Sequence, residues 1–425
     1  MKRPEQAPDM EGLLNGGLPR WSHETMELAR KYNGRYLHWS DLEYRDVGPD
    51  SRENLWALMK ILRNGTVRKV EFQDLVIGYN ITDDAQRILH NLDMRLSSGL
   101  VPENGSDGNR RRMLTVSSVM EESIASSQLE GASTTTKAAK KMLRENSAPK
   151  DMSERMIANN YSAMRFIREH ADDDLSPELI REIHTIISRG TLDDARYEGR
   201  FRDDNTIAVR DVLDGVTYHE PPDFGRIPGL IRSLCDFAND DSVFVHPIVK
   251  GIVLHFVLAY IHPFIDGNGR VSRSLFYWFM MRSGYASAEY LSISKAIKGH
   301  RGRYDRAYLL SETDGNDITY FINFNLDMLS EAADVFLDYV RRKTEESDRT
   351  LDDPRTSGLT IRQKEILTDL MGSTEPKDVY ELAAKHMVEP SSVRRDLLRL
   401  DGLGLVTMVR NGHRNAYLYR RADFT

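Results

Sequence analysis

His262-Pro263-Phe264-Ile265-Asp266-Gly267-Asn268-Gly269-Arg270 stands between two apolar stretches, residues 247–260 and 270–282, and its reading decides the rest of the chain. Each flanking stretch has the length and composition of a buried helix. Pro263 stops the first helix, and two glycines allow backbone conformations that other residues resist. The loop therefore brings its peptide N–H groups to the start of the second helix, where the helix dipole already favours an anion. Phosphate is the obvious anion. An acidic residue inside such a cradle would repel phosphate unless a divalent cation lay between them, so Asp266 reads as a magnesium ligand. Arg270 and Arg273, three residues apart on the first turn, can face the same phosphates. His262, with an ordinary pKa near 6.5, can accept a proton at neutral pH and is the candidate general base.

In this combination His262 to Arg270, followed by Arg273, resembles the signature of Fic-domain proteins. The resemblance implies a mostly α fold: a Fic-type helical core with a β-hairpin flap. It also implies an activity, transfer of AMP from ATP to a Ser, Thr or Tyr hydroxyl of a target protein, and in some members its removal. By that resemblance His262 deprotonates the hydroxyl and Asp266 holds Mg²⁺. The amides of Gly267, Asn268 and Gly269 bind the phosphates, with Arg270 and Arg273 steadying them.

A second match lies upstream, at Ser126-Ser127-Gln128-Leu129-Glu130-Gly131. Ser126, Glu130 and Gly131 resemble the inhibitory helix motif of autoinhibited Fic proteins, placed N-terminal to the core as in one class of the family. Glu130 would pair with Arg273 and deny it to the γ-phosphate. The same carboxylate could orient a water for removal of AMP. The β-prone residues 206–218 fall where the family places its flap, which clamps target side chains by main-chain pairing. Residues 301–308 resemble the adenine-side wall, with Tyr304 as a candidate base contact.

The remaining sequence sets the frame. The chain of 425 residues carries a formal charge of -7 and 40% hydrophobic residues, the balance of a globular protein of two to three domains. Its single cysteine, Cys235, excludes an internal disulfide and a cysteine-clustered zinc site. No stretch has the roughly 20 apolar residues of a membrane span, and the start lacks the apolar run of a secretory signal, so no membrane partner and a cytoplasmic location are expected.

The spacing predicts helices over 55–62, 84–97, 116–143 with a break near Gly131, 153–170, 176–187, 227–237, 247–260, 270–282 and 319–340, and a hairpin turning at Asp214-Gly215. The charged stretch 341–358 reads as a linker or a frayed helix end. Three short helical patterns and two β-prone runs around Asn411-Gly412 then suggest a C-terminal winged helix-turn-helix.

The expected domains are 1–100, an N-terminal helical extension; 101–345, the Fic domain with its inhibitory helix at about 116–131; 346–358, a linker; and 359–425, the winged helix. Residues 355–425 hold 12 Lys and Arg against 9 Asp and Glu, and Arg394, Arg395, Arg399, Arg410, His413 and Arg414 sit where winged helices meet DNA. The expected partners are ATP, a target protein with a modifiable hydroxyl, DNA or protein docked through 359–425, and a second copy of the chain. The competing reading is a DNA-binding transcriptional regulator whose Fic core senses nucleotide with low turnover.

Overall fold

The structure is a computed structural model that describes residues 3–9, 12, 20–96, 108–210, 215, 217–351, 356, 358–371, 373, 375–386, 388–411 and 414–420. It opens with helix α1 (His23–Gly34), capped by the Ser22 hydroxyl, and α2 (Arg52–Asn64), capped by Ser51. Helix α1 falls in the first 35 residues, where the spacing predicts none. Strands β1 (Arg68–Phe72) and β2 (Leu75–Tyr79) then form an antiparallel hairpin, also unforeseen. Phe72, Leu75, Ile77 and Tyr79 turn inward from it.

Helix α3 (Asp83–Leu96) follows, and after it α4 (Gly108–Leu129), the helix directly before Glu130. Gly131, at φ 97°, takes the left-handed conformation that terminates a helix. Helices α5 (Thr136–Arg144) and α6 (Met152–Glu169) fold back across α4, and α7 (Pro177–Ser188) packs on α6. Ser176 caps α7 with Pro177 in its first turn, as the sequence predicts.

Strands β3 (Val209–Arg210) and β4 (Thr217–His219) pair antiparallel through a register shift. Gly215 has φ 69°, whereas Val212, Asp214 and Val216 of the expected turn lie outside the described residues. Next come α8 (Ile227–Asn239), α9 (Pro247–Ile261) and α10 (Asn268–Arg282). Helices α9 and α10 form the centre of the molecule. Nearly every side chain of both is buried: α9 is apolar around most of its circumference, whereas α10 buries polar and charged residues, Asn268, Arg270 and Arg273, in its first turns and apolar ones after them.

Helices α11 (Ile293–Gly299), α12 (Arg301–Thr313) and α13 (Thr319–Leu351) complete the core. Helix α13 runs well into the stretch read as a linker, with Arg341 paired to Asp338 at 2.9 Å; residues 352–355 and 357 lie outside the described residues. One apolar cluster joins β1 and β2 to α3, α6–α10 and α13. The N-terminal helices have their own cluster around Trp39, Leu55 and Trp56. They are tied to the core by polar contacts: Arg63 Nη1 donates to the Tyr320 hydroxyl at 3.0 Å, and Lys60 meets Asp314 at 2.9 Å.

The C-terminal part holds α14 (Ile361–Met371), α15 (Val379–His386) and α16 (Pro390–Gly402) against strands β5 (Lys377–Asp378), β6 (Val406–Asn411) and β7 (Arg414–Tyr419), in the order β5-β7-β6. Leu367, Leu382, Val393, Leu397, Leu400 and Tyr417 form its separate core. Gly412 and His413 lie outside the described residues. Among the described residues, no helix is long and apolar enough to cross a membrane.

Candidate active site

Helix α9 delivers His262 to the site and stops there. His262 is the residue after the last helical turn and has φ 48°, a left-handed conformation that costs a residue with a Cβ about 1–2 kcal/mol. Neighbouring bonds hold it. Arg202 Nε donates to the His262 carbonyl at 3.0 Å, and the Arg202 amide donates to the Pro263 carbonyl at 2.8 Å. The imidazole Nδ1 lies 3.2 Å from the Ala259 carbonyl, which only accepts, so Nδ1 carries the proton and Nε2 keeps its lone pair. Burial, reinforced by nearby His219, lowers the His262 pKa to about 4. The ring is therefore neutral at physiological pH and able to take a proton.

From Phe264 to Gly267 the chain is held as a rigid loop. Asn268 accepts from the Phe264 amide at 2.9 Å through Oδ1 and donates to the Phe264 carbonyl at 2.8 Å through Nδ2. Its side chain thus braces the loop, leaving only its backbone amide to serve an anion. Gly267, at φ 85°, is the N-cap of α10 and supplies no side chain to satisfy the first amides of that helix. Uncapped amides at the head of a buried helix are a ready anion site.

Arg270 lies under this site with no exposed surface; Nη2 donates to Asp266 Oδ2 at 3.1 Å, and Nε is buried without a partner. The Asp266 side chain is 56% exposed and points out of the loop. Among the described residues, no group of three or more His, Cys, Asp or Glu side chains could hold a metal ion. A lone accessible carboxylate beside an anion nest does fit Mg²⁺, which keeps several waters and is shared between one or two carboxylates and a polyphosphate.

Glu130 reaches this nest from the end of α4. Its Oε1 lies 2.9 Å from Arg273 Nη2, while Arg273 Nε donates to Ser126 Oγ at 2.9 Å and Nη2 donates to the Ser126 carbonyl at 3.0 Å. A Cβ placed on Gly269 would stand 2.2 Å from Glu130 Oε1, so only glycine admits the carboxylate there. Burial alone would raise the Glu130 pKa, but the Arg273 guanidinium outweighs it and holds the carboxylate ionised, below the usual range. The same pairing pushes Arg273 upward despite its burial. An anion from the protein itself thus occupies ground suited to a phosphate. Lys298 Nζ, at 2.6 Å from Gln128 Oε1, helps to hold this end of α4.

Tyr304 is buried beneath the site, its hydroxyl 3.0 Å from His255 Nε2 and 3.3 Å from the Tyr308 hydroxyl, with its ring against Phe321 and Phe324. That is a packing position below the nest. Three further residues escape the sequence reading. Arg202 pins His262, as above. His184 donates from Nε2 to the Asp266 carbonyl at 2.9 Å and stacks on Phe264 with ring centroids 3.7 Å apart. His219, at the end of β4, lies 2.7 Å from the Tyr260 carbonyl and 2.9 Å from Glu312, tying the hairpin to the last turn of α9. The available signal was Gly199-Arg200-Phe201-Arg202, a glycine at φ 72° followed by two arginines.

A family model described as the Fic/DOC family matches residues 174–280, from the turn before α7 to the end of α10. These residues are a Fic domain. Over 120 residues the chain is 33% identical to the protein adenylyltransferase Fic of Drosophila willistoni and 34% identical to that of Aedes aegypti. Each match covers 28% of this chain and 22% of the relative's length. Two solved structures of Fic-1 from C. elegans superpose with TM-scores of 0.50 and 0.53 at 18% identity, covering 79% of this chain and 90% of theirs. At that identity the likeness concerns fold, and it extends the mostly helical Fic-type architecture well beyond the matched domain. Glu130 and Tyr304 both lie outside residues 174–280, and the matched segment meets α4 through the Arg273 contacts with Glu130 and Ser126.

Proposed function

We propose that the chain is a protein adenylyltransferase held back by its own α4. The observation that carries this reading is Glu130, paired with Arg273 over Gly269, at the mouth of the nest that His262 faces. The reaction joins a target hydroxyl oxygen to the α-phosphorus of ATP and breaks the bond to the β-phosphate, releasing pyrophosphate. His262 Nε2 takes the hydroxyl proton. The amides of Gly267, Asn268 and Gly269 hold the phosphates, and Arg270 and Arg273 neutralise them, so most of the catalysis is positioning and charge stabilisation. Asp266 would hold Mg²⁺, which when bound offsets the charge of the phosphates. The β3–β4 hairpin, tied by His219 to α9, is placed to pair with a segment of the target.

In this reading Glu130 competes with the γ-phosphate for Arg273, and the resting enzyme is slow. The relatives' name, protein adenylyltransferase Fic, supports the chemistry. Incubation with α-labelled ATP tests it: label appears on protein, is absent from the His262→Ala form, and increases in the Glu130→Gly form. Label that persists without His262 defeats the proposal. With the water-orienting role, the same Glu130 would support removal of AMP, read as loss of label from modified protein after ATP is withdrawn.

A second proposal concerns residues 359–425. Three helices backed by a three-stranded sheet support a winged helix, and Arg394, Arg395 and Arg399 are exposed on α16. Duplex binding by this face, with affinity falling as salt rises, is the expected readout. Duplex binding without any transfer of label would favour the nucleotide-sensing regulator instead.

A further inference from the structure

His184 carries no role in the chemistry above, yet its surroundings single it out. It sits on α7, with no exposed surface, and it stacks on Phe264 with an interplanar angle of 3°. Its Nδ1 accepts a hydrogen bond from the Gly199 amide at 3.0 Å, which leaves the ring proton on Nε2. Nε2 then donates to the Asp266 carbonyl at 2.9 Å. Both nitrogens are thus committed, and the tautomer is fixed by the bond that Gly199 makes. A cationic ring would lose the Gly199 bond, and burial opposes that form.

The Asp266 carbonyl belongs to the same planar peptide as the Gly267 amide. The peptide is trans, so its C=O and N–H point in opposite directions. Anchoring the carbonyl on the α7 side therefore aims the Gly267 N–H away from α7. Gly267 keeps φ 85° only in this orientation of the peptide, and rotation of that plane would replace a donor with a carbonyl oxygen, which repels phosphate. The same anchor fixes the Asp266 Cα, from which the exposed carboxylate projects.

We infer that His184 is a positioning residue for polyphosphate: it holds the Asp266–Gly267 peptide with its N–H toward the nest and its carbonyl away. This rests on the function proposed above. It extends the site to α7, at a residue 82 positions from its partner in the chain.

The test uses the full-length Glu130→Gly form as parent and calorimetric titration with ATP and Mg²⁺, with phosphate-free adenosine as the second probe. In His184→Gln the amide nitrogen falls near the Nε2 position and keeps a donor for Asp266. In His184→Asn the side chain reaches only the Nδ1 position and that donor is lost. The expected result is ATP binding about tenfold weaker in His184→Asn, in line with the loss of groups that orient phosphate and metal ligands. His184→Gln should lie within about threefold of the parent, and adenosine binding should be equal in all three, consistent with one retained hydrogen bond. Equal ATP affinity in His184→Asn and the parent overturns the inference. So does an equal loss of ATP and adenosine binding in both variants, which marks general disruption. A parent that binds no triphosphate overturns the proposed function itself, and this inference with it.

Discussion

At the residue scale, His262 owes its reactivity to two opposed hydrogen bonds. Ala259 fixes the proton on Nδ1, and Arg202 fixes the backbone that aims Nε2. With a pKa lowered to about 4 by burial and by His219, His262 stays neutral from pH 8 to about 5. Labelling should therefore remain level across that range and decline only as pH approaches 4; a fall centred near pH 6.5 would mean the base is an ordinary histidine. His262→Ala should reduce labelling by about 10²–10⁴, the usual worth of a general base. His262, Asp266 and Arg270 were legible because the loop that unites them is contiguous in sequence. His184 and Arg202 were not, because the carbonyls they hold lie 82 and 60 positions away. No local pattern reports that pairing. The bracing role of the Asn268 side chain, which bonds the Phe264 amide and carbonyl, is likewise absent from the sequence reading, which used only the backbone amide of that residue.

At the scale of elements, α4 is held both by a buried apolar face, with Val119, Met120, Ile124, Ala125 and Leu129, and by polar contacts. Glu121 meets Lys140 at 2.5 Å and Lys295 at 2.8 Å, and Glu122 accepts from the Ser294 amide at 2.9 Å and from the Ser292 hydroxyl at 3.1 Å. Under the proposed function, release of Glu130 would have to break the partly exposed Glu121 pairs. Glu121→Ala should raise labelling about fivefold, because partly exposed ion pairs are worth up to about 1 kcal/mol. Unchanged or lower labelling would show that α4 is tethered elsewhere. The start of α7 was legible from its cap chemistry at Ser176-Pro177, whereas that of α1 was not despite its Ser22 cap; Ser176→Ala should cost about 1 kcal/mol in denaturant unfolding. The hairpin β1–β2 was not legible. Its turn is Gln73-Asp74, with Gln73 at φ 55°, rather than the Asn-Gly or Asp-Gly that usually mark a two-residue turn. Helix α13 also outran its reading, since charged residues without apolar periodicity can extend a helix through pairs such as Arg341 with Asp338.

At the scale of the molecule, four histidines among the described residues are held neutral by burial: His38 and His255 at about 3, His184 and His262 at about 4. Unfolded, each would titrate near 6.5, so below that pH the unfolded chain binds more protons and stability falls with pH. The loss should run from about pH 6.5 down to about 3, visible as a falling Tm accompanied by proton uptake on unfolding. A Tm that is flat over that window would contradict the buried, neutral state of these rings. The candidate site is drawn from two separate regions, α4, which lies outside residues 174–280, and the segment from α7 to α10, which includes the base of the β3–β4 hairpin. The account therefore depends on how Glu130 meets Arg273. Transfer of label from α-labelled ATP by the full-length Glu130→Gly form, beside the unaltered chain and Glu130→Gly with Arg273→Ala, tests this most directly. Releasing a charged hydrogen bond of about 1.5–3 kcal/mol predicts a rise of roughly ten- to hundredfold on removing Glu130, abolished when Arg273 is also removed. Equal labelling by the unaltered and Glu130→Gly forms, or full labelling without Arg273, would contradict it.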